Sequence, residues 1–292
     1  MAWNKRFIFL FALMSLPCWP VLRQESLPIV DQAKLDRILK TAGDYCERLK
    51  GLALHFVCHE NITEKTYEFD RTRSVKFVSS PDKTMEFTTI YDLKTARSKK
   101  RSYIYDYQMI NLKGVLKEQR DLLEENGRKR DEKDVELKTV RWSAKYLVFG
   151  PIGFLSRSWQ PYFQYEILGN DKVGNRTAVV LKAVPRDITD ENNSSGRIWL
   201  DQDDMSILQI EWEPRSIAGF EDTVDTPIGK LQRKMSWTVG YDVVKNGIRF
   251  PGSQTIKEIY ITPNGKEHTK YVAAYTYDLY RFFIVETQVI FK

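Results

Sequence analysis

Residues 31–62 have the sequence DQAKLDRILKTAGDYCERLKGLALHFVCHENI, in which the spacing of the apolar side chains changes once. Before Gly51 they recur at steps of three and four, which predicts an amphipathic helix over 31–50 with Asp31 as its N-cap. Gly51 ends this helix. After it the period is two, which predicts a long strand that bends or bulges before Phe69, with apolar positions at Leu54, Phe56, Cys58 and Ile62.

The β-rhythm continues to the C-terminus. Asn126-Gly127, Asn246-Gly247 and Asn264-Gly265 predict tight hairpin turns, and Gly169-Asn170 with Gly174-Asn175 predict a further turn. Residues 114–124 fit either strand or helix, 138–157 suggest two short helices, and 214–231 form a long connection. Strands are predicted at 74–79, 85–91, 103–108, 162–168, 178–184, 197–200, 207–213, 232–244, 248–260 and 268–290.

This order of elements predicts the fold class. Hairpin connections imply an antiparallel sheet, and about ten to twelve strands are too many for a flat one. The expected fold is α+β and mainly β: a large curved antiparallel sheet, or half-barrel, wrapped around an N-terminal helix and short helices. No linker interrupts the series, so we expect one domain over 24–292.

Composition agrees with this expectation. The chain of 292 residues is 42% hydrophobic and 29% charged, which excludes a collagen-like chain, a disordered tail protein and a polytopic membrane protein. Aromatic residues reach 13% and glycine numbers only 15, a balance that favours β-structure with much buried surface.

The first 23 residues have the layout of a secretory signal peptide. Lys5 and Arg6 precede a ten-residue apolar core, Phe7 to Leu16, which is shorter than a membrane-spanning helix. We therefore expect an exported protein whose mature chain begins near residue 24. An uncleaved anchor and lipidation at Cys18 are the alternatives.

Charge is concentrated in one part of the chain. The whole chain has a net charge of +6, and removing 1–23 leaves 42 basic against 39 acidic residues, which argues against nucleic-acid binding. Residues 94–145 alone hold fifteen Lys and Arg against nine Asp and Glu. This basic segment is either a solvated face or a landing surface for an anionic membrane or an acidic partner.

Two cysteines remain after residue 23, Cys46 near the end of the predicted helix and Cys58 on the strand that returns from it. An even pair in an exported protein is a candidate disulfide. Two buried free thiols are the alternative.

One parity of the predicted strands is rich in large aromatic and apolar side chains. If this parity faces inward, it lines a mostly apolar site suited to an acyl chain, or it is a filled core. The candidate ligand-binding residues are Tyr103, Tyr105, Tyr107, Leu208, Ile210, Trp212, Trp237, Tyr241, Tyr275 and Tyr277.

Catalytic motifs do not appear in the sequence. It has three histidines, no G-x-S-x-G or H-E-x-x-H pattern and no glycine-rich phosphate loop. His55 and His59 share one strand parity, while Cys58 and Glu60 point to the other face, so we expect no metal site. Asp201, Asp203 and Asp204 are expected in a solvated hairpin turn. We therefore expect no enzyme activity and no cofactor.

At this level the chain is similar to the periplasmic outer-membrane lipoprotein-carrier (LolA/LolB-like) superfamily. The resemblance lies in the opening helix, the turn at Gly51 into a long strand, the aromatic hairpins, and Arg197 to Asp201 followed by Ile207 to Trp212. Residues 45–46 and 56–60 suggest a bacterial branch of unassigned function. The resemblance implies a periplasmic half-barrel with a hydrophobic cavity under a helical lid, and carriage of a lipid or acyl chain.

The leading hypothesis is therefore an exported, non-enzymatic carrier or binding protein. It would hold a lipid or a lipoprotein acyl chain between the sheet and its helices, with 214–231 as a gate. The alternative is an envelope protein-interaction or sensor module that binds an anionic membrane surface or envelope protein through the basic segment 94–145.

Overall fold

The computed structural model describes residues 29–79, 85–113, 115–141, 149–187, 194–216, 220–226 and 228–283. The predicted signal peptide and Cys18 lie outside these residues. Two α-helices are described, α1 (Ile29–Leu52) and α2 (Phe149–Leu155), with 3-10 turns at Gln160–Tyr162 and Pro214–Ser216. The strands are β1 (Phe56–Ser79), β2 (Met85–Leu112), β3 (Val115–Glu125), β4 (Arg128–Glu132), β5 (Phe163–Val173), β6 (Arg176–Pro185), β7 (Gly196–Asp201), β8 (Ile207–Trp212), β9 (Thr223–Thr226), β10 (Gly229–Gly240), β11 (Val243–Lys245), β12 (Ile248–Phe250), β13 (Ser253–Ile261) and β14 (Glu267–Phe282).

Twelve of these strands form one antiparallel sheet, which is not closed into a barrel. Its order is β4-β3-β2-β1-β14-β13-β10-β8-β7-β6-β5, with β9 paired to β10, and β11 and β12 form a separate hairpin. The predicted fold class, a mainly β half-barrel with an N-terminal helix, is confirmed. The first and last of the described strands, β1 and β14, are neighbours in the middle of the sheet.

The helix α1 packs against one face of the sheet through the stripe that its periodicity predicts. The buried members of this stripe are Leu35, Ile38, Ala42, Tyr45, Cys46 and Leu49. Together with α2 they join the sheet's tyrosines in one core cluster. We call the sheet face in this cluster the inner face and the opposite face the outer face.

The two long strands β1 and β2 carry the predicted irregularities. The register of β1 shifts against β14 between Val57 and His59, and against β2 between Glu68 and Phe69. The strands predicted at 74–79 and 85–91 are the far ends of β1 and β2, so they belong to one long hairpin. The alternation of Phe56, Cys58 and Ile62 into the core is confirmed.

Several local predictions need correction. The ambiguous stretch 114–124 is the strand β3, because it pairs along its length with β2. Gly169, with φ 128°, lies at a bulge inside β5 instead of a turn. In 138–157 only α2 is helical among the described residues, and 142–148 lie outside them.

The prediction of a long connection at 214–231 also needs correction. It contains the strand β9, whose residues pair with the beginning of β10. Leu231 is buried there, in a small cluster with Leu93 and Tyr260. The chain is therefore held by sheet hydrogen bonds at this point, since a connection without secondary structure would lack them.

Candidate functional site

Nine of the ten predicted ligand-binding residues lie in or against the single core cluster of the inner face. The tyrosines 103, 105, 107, 241, 275 and 277 are each at most 3% exposed. Leu208 is the exception, because a register shift between β7 and β8 turns it to the outer face beside Trp199 and Val180. The inner-face tyrosines are thus packed as a core in this structure.

Strand register brings these residues together from distant parts of the chain. One row across the inner face is formed, strand by strand, by Tyr103, Ile62, Tyr275, Gln254, Val239 and Ile210. The next row contains Glu64, Ala273, Ile256, Trp237 and Trp212. Directly opposite side chains in such rows are neighbours, so the candidate residues form one continuous surface.

Aromatic rings dominate the end of this surface near α2. The rings of Trp212 and Trp237 stack with centroids 5.2 Å apart, and Phe154 of α2 lies 4.7 Å from Trp212. A Cβ atom on Gly150 would approach the Trp212 ring to 2.7 Å. Glycine at position 150 therefore allows α2 to rest directly on the tryptophan.

Two polar groups on the same surface have no hydrogen-bond partner among the described residues. Gln254 is 1% exposed, and neither its amide nitrogen nor its amide oxygen is bonded. The indole nitrogen of Trp237 is buried and also unbonded. Gln254 is opposite Val239 and Trp237 is opposite Ile256, so the two groups are diagonal neighbours on β13 and β10. A buried polar group without a partner costs about 1–3 kcal/mol, and native proteins contain few.

Buried charges are a feature of the inner face that sequence reasoning missed. Glu60, Glu64 and Glu258 are at most 1% exposed, and Arg120 is 6% exposed. Arg120 donates to both carboxylate oxygens of Glu60, at 2.6 and 3.2 Å, and to Glu118 at 3.1 Å. Strand alternation places Glu60 and Glu64 on the parity of Cys58 and Ile62, which was the available signal.

Tyrosine hydroxyls complete this network. Tyr277 donates to Glu60 at 3.1 Å, Tyr271 donates to Glu64 at 3.0 Å, and Tyr107 donates to Glu118 at 2.9 Å. Burial raises the pKa of Tyr107 and Tyr277 well above the ordinary value, so both remain protonated donors. The carboxylates are therefore compensated by hydrogen bonds as well as by cations.

Residues 133–141, which we call the strap, cross the inner face without regular secondary structure. The Tyr103 hydroxyl donates to the carbonyl of Lys138 at 3.2 Å, and the Tyr105 hydroxyl accepts from its amide at 3.3 Å. Burial raises the pKa of Tyr105 to about 12. The strap is thus attached through its backbone to side chains of the sheet.

The far end of the strap is attached to two buried carboxylates. The amide of Val140 donates to Glu64 at 3.0 Å, and Arg141 donates to Glu258 at 2.8 Å. Arg233 lies 3.9 Å from the same Glu258 carboxylate. The strap therefore supplies a large part of the compensation that these carboxylates need.

The disulfide predicted between Cys46 and Cys58 is not present; both cysteines are buried free thiols. Cys46 points from α1 toward α2, with its sulfur 3.5 Å from the carbonyl oxygen of Pro151. Cys58 lies on β1 and interacts with Tyr280 of β14. The two side chains have different neighbours, and burial raises the pKa of both thiols.

Ion pairs neutralise much of the basic segment 94–145. Residues 94–101 are all exposed, yet Arg97 and Lys99 both pair with Glu68, and Arg101 lies 3.8 Å from Glu64. Further along, Lys117 pairs with Asp134, Lys133 with Asp121 and Lys138 with Glu132. Because Glu64 and Glu68 lie outside the segment, their pairs reduce its charge excess on the folded surface, whereas the last three pairs join residues that the excess already counts.

The histidines and aspartates considered above as metal ligands interact with oppositely charged side chains instead. His59 lies 3.4 Å from Asp106, and Arg176 pairs with Asp201 at the predicted hairpin turn. Among the described residues, no group of three or more His, Cys, Asp or Glu side chains could hold a metal ion. None of the described helices has both the length and the apolar character needed to cross a membrane.

No protein-family model and no curated protein matches the chain. Among solved structures, a putative outer membrane lipoprotein-sorting protein domain from Vibrio parahaemolyticus is 12% identical with a TM-score of 0.36; the match covers 85% of this chain and 92% of that one. A LolA superfamily protein from Nitrosomonas europaea is 12% identical with a TM-score of 0.31, covering 85% and 94%. The MucA/MucB complex from Pseudomonas aeruginosa gives 11% identity and a TM-score of 0.22, covering 84% and 99%.

Proposed function

We propose that this chain is an exported, non-enzymatic binding protein that carries a lipid or a lipoprotein acyl chain on the inner face of its sheet. The ligand would lie between the sheet and α2, along Trp212 and Trp237. Its polar group would lie beside Gln254. This proposal keeps the predicted set of binding residues apart from Leu208, which faces outward.

The unpartnered amide of Gln254 is the observation that carries the proposal. This side chain is buried, and none of the described residues bonds its amide nitrogen or oxygen. A leucine of similar size would avoid that cost, so the amide lowers the stability of the fold. Such a cost is understandable where the group is used in binding, because a ligand that supplies a donor and an acceptor would remove it.

The surroundings favour an apolar ligand with an uncharged polar group. Near Gln254 the inner face is formed by Val239, Ile256 and the stacked tryptophans. The nearest carboxylate on β13, Glu258, is already compensated by Arg141 and Arg233. Each buried methylene would contribute about 0.8 kcal/mol to affinity. The hydrogen bonds to Gln254 would fix the orientation of the ligand.

Access to this surface requires α2 to move, because Gly150 and Phe154 contact Trp212. The helix has only seven residues. A helix this short has little stability of its own and depends on its packing. In this proposal α2, instead of 214–231, is the element that opens for the ligand.

The first experiment is native mass spectrometry of the protein purified from a bacterial envelope, followed by solvent extraction. A stoichiometric lipid that leaves on extraction is the expected result. Titration of the stripped protein with a fluorescent acyl probe then gives a dissociation constant, with tryptophan fluorescence as the signal from Trp212 and Trp237. A clean apo mass together with no probe uptake would reject the proposal.

A matched pair of variants separates binding from folding. Gln254→Leu should raise the free energy of unfolding by about 1–3 kcal/mol and weaken binding of a polar acyl ligand about five- to tenfold. Gln209→Leu, on the outer parity of β8, should leave ligand affinity unchanged. A Gln254→Leu protein that is less stable than wild type would show that the amide is a structural group.

The second candidate function is a protein-interaction or sensor module that uses the basic segment 94–145. The exposure of every residue from 94 to 101 favours it. A partner that still binds after charge reversal at Lys99, Lys100 and Arg101 would exclude this function. A clean apo mass in the first experiment would make it the leading candidate.

A further inference from the structure

Three lysines from separate parts of the chain lie in one row on the outer face. Lys65 of β1 is directly opposite Lys100 of β2 and, on its other side, opposite Val272 of β14. Val272 is in turn opposite Lys257 of β13. We call Lys65, Lys100 and Lys257 the lysine row. Only Lys100 belongs to the basic segment 94–145, so the row exists only in the folded sheet.

The outer position of the row follows from strand alternation. Glu64 precedes Lys65 in the sequence and Glu258 follows Lys257, and both glutamates are buried on the inner face. Lys100 is exposed, and Lys65 and Lys257 are partly exposed. The three ammonium groups therefore reach solvent on the side of the sheet away from α1 and α2.

No acidic side chain among the described residues pairs with any member of the row. The nearby acids are used elsewhere: Glu64 bonds Tyr271 and the strap, and Glu68 pairs with Arg97 and Lys99. Like charges directly opposite each other on neighbouring strands destabilise a sheet, and Lys65 and Lys100 are such a pair. The fold thus retains a repulsive arrangement that no acid relieves.

An aromatic ring lies at the cationic end of this face. The ammonium of Lys65 lies 4.9 Å from the centre of the Tyr67 ring. An aromatic ring beside a lysine combines positive charge with an amphipathic side chain, as membrane–water interfaces favour.

The charge of the outer face changes along β2, β1, β14 and β13. On these four strands the row next to the lysines contains uncharged residues, Ser102, Thr63, Ala274 and Thr255. Further along, Asp106 and Asp278 flank His59. The lysine row and these acids therefore lie at opposite ends of this part of the outer face. On the neighbouring strands β7 and β6, Arg197 and Lys182 pair with Glu211 and Glu213.

We propose that the lysine row docks the protein on an anionic phospholipid bilayer. The cations are spread across several strands of a sheet face, which suits a broad layer of negative headgroups. An acidic protein partner would be better matched by arginine, which makes bidentate pairs with carboxylates, and the row has none. Each lysine near an anionic bilayer contributes about a fivefold gain in affinity. Three together give a gain on the order of 100-fold.

Vesicle co-sedimentation tests this surface independently of ligand binding. The full chain is mixed with vesicles of phosphatidylcholine containing 30% phosphatidylglycerol, or of phosphatidylcholine alone, at about 0.1 M and 0.5 M salt. The test variant is Lys65→Gln/Lys100→Gln/Lys257→Gln. The control is Lys172→Gln/Lys230→Gln/Lys245→Gln, which removes the same charge from other strands. All three proteins have the same N-terminus, so any vesicle binding by that segment is equal in all of them.

We expect the affinity for the anionic vesicles to fall at least tenfold in the test variant and to stay within twofold of wild type in the control. Binding should also weaken at high salt. The test variant should melt at or above the wild-type temperature, because a repulsive pair is removed. Equal binding by all three proteins, or an equal loss in the control, would overturn the proposal. Binding of poly-glutamate through the row without binding to anionic vesicles would overturn it in favour of an acidic protein partner.

Discussion

Arg120 reaches Glu60 across an intervening strand. Glu60 lies on β1 and Arg120 on β3, and the guanidinium passes 4.8 Å from the ring of Tyr107 on β2. Two donated hydrogen bonds of 2.6 and 3.2 Å join the pair, and both side chains are buried. One ion pair thus fastens three strands of the inner face.

Removing one member of this pair should be far more damaging than removing both. Arg120→Ala leaves the Glu60 carboxylate buried without its cation, and we expect a loss of about 3–5 kcal/mol in the free energy of unfolding, measured by urea denaturation. The double variant Glu60→Leu/Arg120→Met should recover most of that loss. Arg128→Ala, at the exposed start of β4, is the control and should change stability by less than about 0.5 kcal/mol. A mild effect of Arg120→Ala, comparable to the control, would contradict the buried pair.

The strap should loosen when its contact with Glu258 is removed. Arg141→Ala deletes the guanidinium that donates to this carboxylate at 2.8 Å. Limited trypsin digestion, followed by mass spectrometry, should then show cleavage after Lys133 and Lys138 at least tenfold faster than in wild type. Arg157→Ala, which breaks the exposed pair with Asp44, is the matched control. Similar cleavage rates in both variants would argue against a strap held by the inner face.

The two cysteines should react only after unfolding. Burial raises the pKa of Cys46 and Cys58, so both are protonated thiols near neutral pH and the nucleophilic thiolate is scarce. Iodoacetamide should modify neither in the native protein and both in denaturant without any reductant. Intact mass reports each addition. Labelling in denaturant that requires prior reduction would show a disulfide instead.

Acid should weaken one attachment of the long hairpin formed by β1 and β2. Lys266 donates to Asp92 at 2.7 Å and lowers the pKa of that carboxyl below its ordinary value near 4. A lowered folded-state pKa gives stability that is complete above the ordinary value and is lost as pH falls through the lowered one. The melting temperature of Lys266→Met should therefore lie below that of wild type above about pH 5, and the two should converge below about pH 3. A difference that persists at low pH would assign the effect to packing.

Sequence periodicity predicts those parts of the fold that depend on neighbouring residues. The stripe of α1, the alternation of Tyr103, Tyr105 and Tyr107, and the Asn-Gly hairpins each follow from local spacing. The placement of Tyr105 beside Glu60 and of Trp212 beside Trp237 depends on which strands pair and in what register. Strand pairing and register are not visible in the local spacing of residues, and a single sequence does not expose them.

The buried glutamates show a different limit. Alternation assigns Glu60 and Glu64 to the inner face together with Ile62, but charge alone suggests a solvated position. The decision depends on the partner, and Arg120 becomes one only after β3 pairs with β2. The prediction of a disulfide was wrong for a related reason. Nearness in sequence does not show that Cys46 contacts Pro151 and that Cys58 contacts Tyr280.

The pairing of β1 with β14 has a consequence for how the chain folds. Ile62 and Tyr275 are opposite each other in the sheet although more than 200 residues separate them in sequence. The central seam of the sheet therefore forms only after nearly the whole chain has been synthesised, and pairing over such a separation is slow. Until then the edge of β1 that will receive β14 exposes unpaired amides and carbonyls, which invites pairing with other chains. We expect this protein to need protection from aggregation during its synthesis more than after folding.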